Sequence, residues 1–261
     1  MTEQPEEVEA ALFIRSAAAS AVADEIAQLD TLGGYLLHRG PDEHIRDVHF
    51  DSPDYPLRAR GIALRARQKN GRRLITLKGP MRRLDNGSIS RTEVERPWTF
   101  DGVKQVAEIL AEMHIVVPAL PAALGDGNPA EVLKRAGFAV LKSRATERRV
   151  RNILKTSSQA VLAELAIDAV RYELDQGDAA FFEVEIEAKS AEAYDVVPHC
   201  MGALQGTFQH ALRPWPYGKL ATGSAIAALL HSVSPAGLLD RDRNITPEGC
   251  DAVEIYLRGI A

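Results

Sequence analysis

Cysteine is nearly absent: Cys200 and Cys250 are the only two in 261 residues. So few thiols, so far apart, exclude a disulfide framework and read as free thiols of a cytoplasmic protein. No apolar run approaches the roughly 18 residues of a membrane span. The first ten residues are acidic and lack the basic-then-apolar order of a signal peptide. Global positive charge is also missing. At a net charge of -5 and a pI near 5.8, no overall field recruits nucleic acid or an anionic membrane. There is no P-loop, no nucleophile elbow, no His-based metal motif and no internal repeat. The seven histidines show no ligand spacing and are expected as surface or turn residues.

What remains is a chain with 46% apolar residues, enough for one large domain or a domain with an appendage. Alternation predicts strands over Glu7 to Ile14, Tyr35 to Arg39, Ile45 to Asp51, Ile62 to Lys69, Arg72 to Lys78 and Ser88 to Trp98. Further strands are expected over Ala139 to Ile153, Ala160 to Leu174 and Ala180 to Lys189. Helices are expected over Ser16 to Leu29, Gly102 to His114, Pro129 to Ala136, Ala191 to Val197, Ala203 to Leu212 and Gly223 to His231. Pro247 to Arg258 is a last helix with Pro at its start, after a connector over Ser232 to Asp242.

The hairpin around Asn70-Gly71 is the most informative segment. Asn-Gly prefers a two-residue type I′ turn, which fixes the flanking register. Lys69 then faces Arg72, Arg67 faces Leu74, Arg65 faces Thr76 and Ala63 faces Lys78. With a side-chain period of two, Arg65, Arg67 and Lys78 share one face, and Leu64, Ala66, Ile75 and Leu77 share the other. The pattern recurs. Arg91, Glu93 and Glu95 share a face, as do Lys142, Arg144 and Arg148 if their strand runs unbroken. Glu164 and Asp168 do so too, followed by Glu183, Glu185 and Glu187, with Glu7 and Glu9 near the start. Charge is also sorted along the chain. Arg58 to Arg96 carries twelve Lys/Arg against three Asp/Glu, whereas Glu164 to Glu187 carries eight Asp/Glu against Arg171 alone.

One alternating charged strand is ordinarily a solvated sheet face. Like charges at i and i+2 on strand after strand repel, and a merely soluble face mixes signs. A barrel lumen with a basic and an acidic wall, its apolar faces turned outward under helices, accounts for both period and sorting. Convergent Arg and Lys call for a polyanion, since guanidinium pairs bidentately with phosphate oxygens. Clustered carboxylates without Cys or His ligands favour Mg²⁺ or Mn²⁺. Arg82-Arg83 and Arg148-Arg149 read as solvated strand ends, against nucleic-acid binding.

These residues resemble the CYTH, or triphosphate tunnel metalloenzyme, family. The matching stretches are Glu7-Val8-Glu9, His49-Phe50-Asp51-Ser52-Pro53, Leu64-Arg65-Ala66-Arg67 and Thr76-Leu77-Lys78. Arg91-Thr92-Glu93-Val94-Glu95, Lys142-Ser143-Arg144, Ile167-Asp168 and the run Phe182 to Glu187 follow. The resemblance implies an α+β fold: a closed antiparallel eight-stranded β-barrel, the triphosphate tunnel, with helices packed outside. It implies a tunnel domain over 5–190 and a helical extension over 191–261 packed on the barrel.

The resemblance further implies triphosphate contacts from Arg65, Arg67, Lys78, Arg91, Lys142, Arg144 and Lys219. Metal coordination is implied for Glu7, Glu9, Asp168, Glu183, Glu185 and Glu187, with Mg²⁺ or Mn²⁺ as cofactor. Glu7, Glu9, Lys78, Arg65 and Arg67 are the catalytic candidates. The expected activity is metal-dependent hydrolysis of inorganic triphosphate or a small organic triphosphate. The alternatives are a class IV-type adenylate cyclase, or a non-catalytic (poly)phosphate-binding protein. The last arises because Ala11 stands where the family has Lys. Losing one preorganised phosphate donor costs about 2–4 kcal/mol of transition-state stabilisation, a factor of about a hundred or more. Arg46 or Arg148 is a candidate substitute. The expected partner is a triphosphate-containing small molecule, with no nucleic acid and no membrane, and the protein a monomer or homodimer.

Overall fold

The computed structural model describes residues 6–119, 127–156, 159–232 and 236–260. In chain order its elements begin with β1 (Glu6–Ile14), α1 (Ala19–Ala27), β2 (Thr31–Leu32), β3 (Tyr35–Arg39), β4 (Glu43–Asp51), α2 (Pro56–Ala59) and β5 (Ala63–Lys69). Then come β6 (Arg72–Lys78), β7 (Arg82–Arg83), β8 (Ile89–Pro97), α3 (Phe100–Glu112), α4 (Pro129–Arg135), β9 (Ala139–Leu154) and β10 (Val161–Glu173). The last are β11 (Ala179–Ala188), α5 (Val196–Phe208), β12 (Leu212–Pro214), α6 (Lys219–Ser232) and α7 (Pro247–Ile260). The strand order β10-β11-β1-β8-β6-β5-β4-β9 closes through pairing of β9 with β10. This is the expected α+β fold, a closed antiparallel barrel of eight strands. Among the described residues no helix is long and apolar enough to cross a membrane.

The chain forms two compact units, with β1 passing from the first to the second after Glu7 and β9 after Ala145. The first unit is centred on β4, β5, β6 and β8. Its β5–β6 hairpin has the expected register, Lys69 opposite Arg72 and Ala63 opposite Lys78. Asn70 and Gly71 both take positive φ, 47° and 80°, as a type I′ turn requires. The apolar face of this sheet, Phe50, Leu64, Ala66, Ile75 and Leu77, is covered by Val103, Val106 and Leu110 of α3 and by Leu133 of α4. The α3 spacing of three and four presents one stripe, and each buried Val or Leu contributes about 1.5–3 kcal/mol. Thr99 caps α3 by accepting from the Gly102 N–H, and Asn128 caps α4 by accepting from the Ala130 N–H. Asp51 is structural: its carboxylate accepts the backbone N–H groups of Ser52, Leu57 and Arg58, tying the end of β4 to α2.

In the second unit, Val8, Leu12 and Ile14 of β1 join Leu165, Ile167, Val184 and Ile186 of β10 and β11 on one face. Ile26 of α1 and Val197, Cys200 and Leu204 of α5 pack against it. On the other face lies an aromatic cluster. Phe13 stacks on Phe181 at 4.8 Å, with Trp215 4.8 Å from Phe13 and Tyr172 5.9 Å from Phe181. Ile226 and Leu230 of α6 and Val253 and Leu257 of α7 close over it. Cys200 and Cys250 are free and buried, and burial pushes their thiols up to about 11 and about 12.

The region after Ala191 departs from expectation. The two helices expected over Ala191 to Val197 and Ala203 to Leu212 are one helix, α5, preceded by a single 3₁₀ turn. Pro198 does not break it, because it falls in the first turn, where an N–H has no intrahelical acceptor. Leu212 belongs instead to β12, paired with β1 opposite Ile14. Residues 233–235 of the expected connector lie outside the described residues.

Candidate functional site

Each unit carries one buried cluster of charge. In the first, strand alternation puts Asp47 and His49 of β4, Arg65 and Arg67 of β5, Thr76 and Lys78 of β6, and Glu93 and Glu95 of β8 on the face opposite the apolar one. The register sets Asp47 opposite Arg67, His49 opposite Arg65 and Lys78 opposite Glu93. Asp47 is the hub. Its carboxylate accepts from Arg67 Nε at 2.8 Å and Nη2 at 3.1 Å, lies 3.6 Å from Arg65, and accepts from Arg144 of β9. Burial opposes its charge, yet Arg65, Arg67 and Arg144 hold the carboxyl well below the usual carboxylate range. Arg65 also reaches Glu93 at 3.0 Å and Arg67 reaches Glu95 at 3.3 Å. Lys78 bridges Glu7 at 3.0 Å and Glu93 at 2.7 Å, and Arg91 donates to Glu7 at 3.0 Å. Burial pushes the Glu93 carboxyl up, but Lys78 and Arg65 outweigh it and hold the group at about 2.

Five cations thus meet four carboxylates, Asp47, Glu7, Glu93 and Glu95, in a nearly dry setting. The cations are preorganised, each held by an internal anion that a bound polyanion would have to compete with or join. Lys142, half-buried on β9, shares a strand face with Arg144 two residues on.

The second cluster is acidic. Asp168 of β10 registers with Glu183 of β11, and ligand atoms of Asp168, Glu183 and Glu185 lie within 4.8 Å of one another. Arg148 of β9 clamps Asp168 with two bonds of 2.7 Å and donates to Glu185 at 2.8 Å. Lys219, the first residue of α6, reaches Glu185 at 2.5 Å and Asp168 at 3.2 Å, and also bonds Glu183. Burial works against both cations, but their carboxylate partners raise Arg148 and Lys219 above their ordinary values. Burial also pushes the Glu183 carboxyl up to about 8, Lys219 pulling the other way and Glu185 and Asp168 adding to the rise. Glu183 Oε2 is buried with no hydrogen-bond partner.

An all-oxygen donor set with an unused buried carboxylate oxygen fits a hard divalent cation, and an ammonium already rests against it. The metal candidates are therefore distributed. Asp168, Glu183 and Glu185 come together; Glu7 lies in the first cluster; Glu187 faces Glu9 across the β1–β11 register and pairs with Lys189 at 3.0 Å.

A sequence model of the CYTH domain matches residues 15–197, more than half of the chain. The chain belongs to the CYTH domain family. No curated protein matches it by sequence. Among solved structures it is similar to HpAC1 from Hippeastrum, described for a dominant triphosphatase activity. The identity is 17% and the TM-score 0.49, over 87% of this chain and 95% of that one. It is similar also to the PH1819 protein from Pyrococcus horikoshii, at 19% identity and TM-score 0.48 over 87% and 99%. To the S. pombe Pct1 RNA triphosphatase it is similar at 10% identity and TM-score 0.37, over 77% and 84%.

Within this CYTH protein, two expectations need correction. Arg148 is no solvated strand end: it is buried against Asp168 and Glu185, while Arg149 beside it pairs with Asp24 at 2.6 Å. Strand alternation sends the two neighbours to opposite faces. His49 is no surface histidine, being 5% exposed beside Arg65. Its signal was present in the alternation Asp47, His49, Asp51 against Val48 and Phe50. Asp47, missed as well, carried the same signal. Ala11 registers opposite Glu185 and accepts the Trp215 N–H at 2.8 Å. The cations at Glu185 come from Arg148 and Lys219, whereas Arg46 is exposed.

Proposed function

We propose that this CYTH protein hydrolyses a triphosphate, inorganic or small organic, with Mg²⁺ or Mn²⁺. The single observation that carries the reading is the first cluster: Arg65, Arg67, Lys78, Arg91 and Arg144, all largely buried and converging on one sheet face. So many fixed donors match the spread negative charge of a polyphosphate and of a phosphoryl group in transfer. Arg65, Arg67 and Arg144 grip phosphate oxygens, and Lys78 and Arg91, joined through Glu7, hold the same chain of charge. Lys142 adds a further contact. Water oxygen bonds to the terminal phosphorus and gives up a proton to solvent, the bridging P–O bond breaks with its electron pair on the leaving diphosphate, and the guanidinium groups stabilise that charge.

Asp168, Glu183 and Glu185 would hold the divalent cation, with Glu9 and Glu187 as further carboxylates of the same unit, while Glu7 serves the first cluster. When bound, the cation supplies charge neutralisation and a lowered pKa for bound water. Arg148 and Lys219 offset the mutual repulsion of Asp168, Glu183 and Glu185, which supports turnover in spite of Ala11.

Phosphate release is measured with inorganic triphosphate, ATP and thiamine triphosphate, under Mg²⁺ and then Mn²⁺. Metal-dependent phosphate release is the expected result. Pyrophosphate with cyclic AMP from ATP would make the protein a cyclase instead. Binding without turnover, with turnover restored by Ala11→Lys, would make it a phosphate-binding module.

A further inference from the structure

His49 stands apart from the other groups of the first cluster. It is 5% exposed, on the strand face that carries Asp47 and opposite Arg65 in register, yet its Nδ1 is buried with no hydrogen-bond partner. Arg65, beside it, likewise has a buried Nε with no partner. A buried, unsatisfied ring nitrogen is destabilising, which is hard to account for as packing alone and natural where a ligand oxygen completes the set. The charged groups facing the imidazole are Arg144 from β9, Arg65 and Arg67 from β5, and Asp47 on its own strand. Burial first, and then Arg144, hold the imidazole well below its usual value, with Arg65 and Arg67 adding to the effect and Asp47 opposing it. In this setting the ring is therefore neutral. A polyanion among these guanidinium groups offsets their field at the ring, which favours its gaining a proton and becoming one more donor.

We infer that His49 contacts the bound phosphoryl group directly and takes up a proton as the anion enters, so that triphosphate binding is coupled to protonation of this ring. The inference rests on the reading of the first cluster as a phosphate site. It adds a specificity element, because a ring that charges only on demand favours ligands of high negative charge over singly charged ones.

The full-length chain is titrated calorimetrically with inorganic triphosphate at pH 7.5, without metal, in buffers of differing ionisation enthalpy. The dependence of the heat on buffer counts protons. The wild-type protein is expected to take up roughly half to one proton more per bound triphosphate than His49→Asn does. Equal counts in the two proteins would overturn the role of His49 while leaving the phosphate site intact. Absence of binding heat in the wild type would overturn the phosphate site and this inference with it. Where His49→Asn does not fold, His49→Gln serves the same comparison. ¹⁵N spectra of the wild-type imidazoles give an independent reading. One buried ring is expected to pass from the neutral to the imidazolium pattern when triphosphate is added, and no change in any ring would refute the coupling.

Discussion

Asp47→Asn tests whether one buried carboxylate holds the cationic cluster together. The substitution keeps shape and removes charge. Asp47 is inaccessible to solvent and receives a two-bond clamp from Arg67, a bond from Arg144 and the field of Arg65 at 3.6 Å. Neutralising it leaves three guanidinium groups crowded in a dry site with one anion fewer. Breaking a buried pair from one side costs about 3–5 kcal/mol. At about 2–4 °C per kcal/mol for a chain of this size, the melting temperature at pH 7 should fall by roughly 6–20 °C. Inorganic triphosphate, by replacing the lost negative charge, should raise the melting temperature of Asp47→Asn more than that of the wild type. The acid limb follows by sign. The folded carboxyl sits well below its unfolded value, so its contribution is present above about pH 4 and is lost as pH falls through the folded value. The variant should lack that part of the acid dependence. A variant melting within about 2 °C of the wild type would refute the assignment of Asp47 as the hub.

Lys78→Met removes the ammonium between Glu7 and Glu93 and should lower kcat/KM for triphosphate by about a hundredfold or more in phosphate release; a loss under threefold would remove Lys78 from the site. His49, neutral in the fold, lets the unfolded chain gain a proton first, so wild-type stability should decline as pH drops below about 6.5, by at most about 1.4 kcal/mol per pH unit. Urea unfolding of His49→Asn should show a correspondingly flatter dependence between pH 6.5 and 5. Gly223→Ala places a Cβ 2.5 Å from a ring carbon of Tyr172, and the overpacking should cost about 1–3 kcal/mol in urea unfolding; an unchanged midpoint would mean that α6 shifts freely.

How much could be read in advance depended on what set each register. The β5–β6 hairpin was legible to the residue because Asn70-Gly71 leaves its strands one way to pair. β4 and β5 are joined instead by residues 52–62, which include α2, and no tight turn fixes their alignment. Asp47 against Arg67, and His49 against Arg65, therefore became visible only in three dimensions. The sorting of charge along the chain was real in sequence but incomplete in space. Each cluster is nearly balanced by residues from outside its own run: Asp47 and Glu7 among the cations, Arg148 and Lys219 among the acids. Such pairing is long-range, and nothing in local alternation announces it.

The start of α6 has a consequence for engineering this protein. The Lys219 carbonyl accepts the Tyr172 hydroxyl at 2.5 Å, and Thr222 accepts the Trp215 indole N–H at 2.9 Å. The lysine is thus riveted to the barrel wall at its own backbone, and its side chain works as a strut of set length. Trimming the chain after the CYTH-matched stretch, which ends at residue 197, would discard that strut with the helices that look dispensable. A shortened version would lose β12 as well and leave Asp168, Glu183 and Glu185 with Arg148 but without Lys219 to offset their charge.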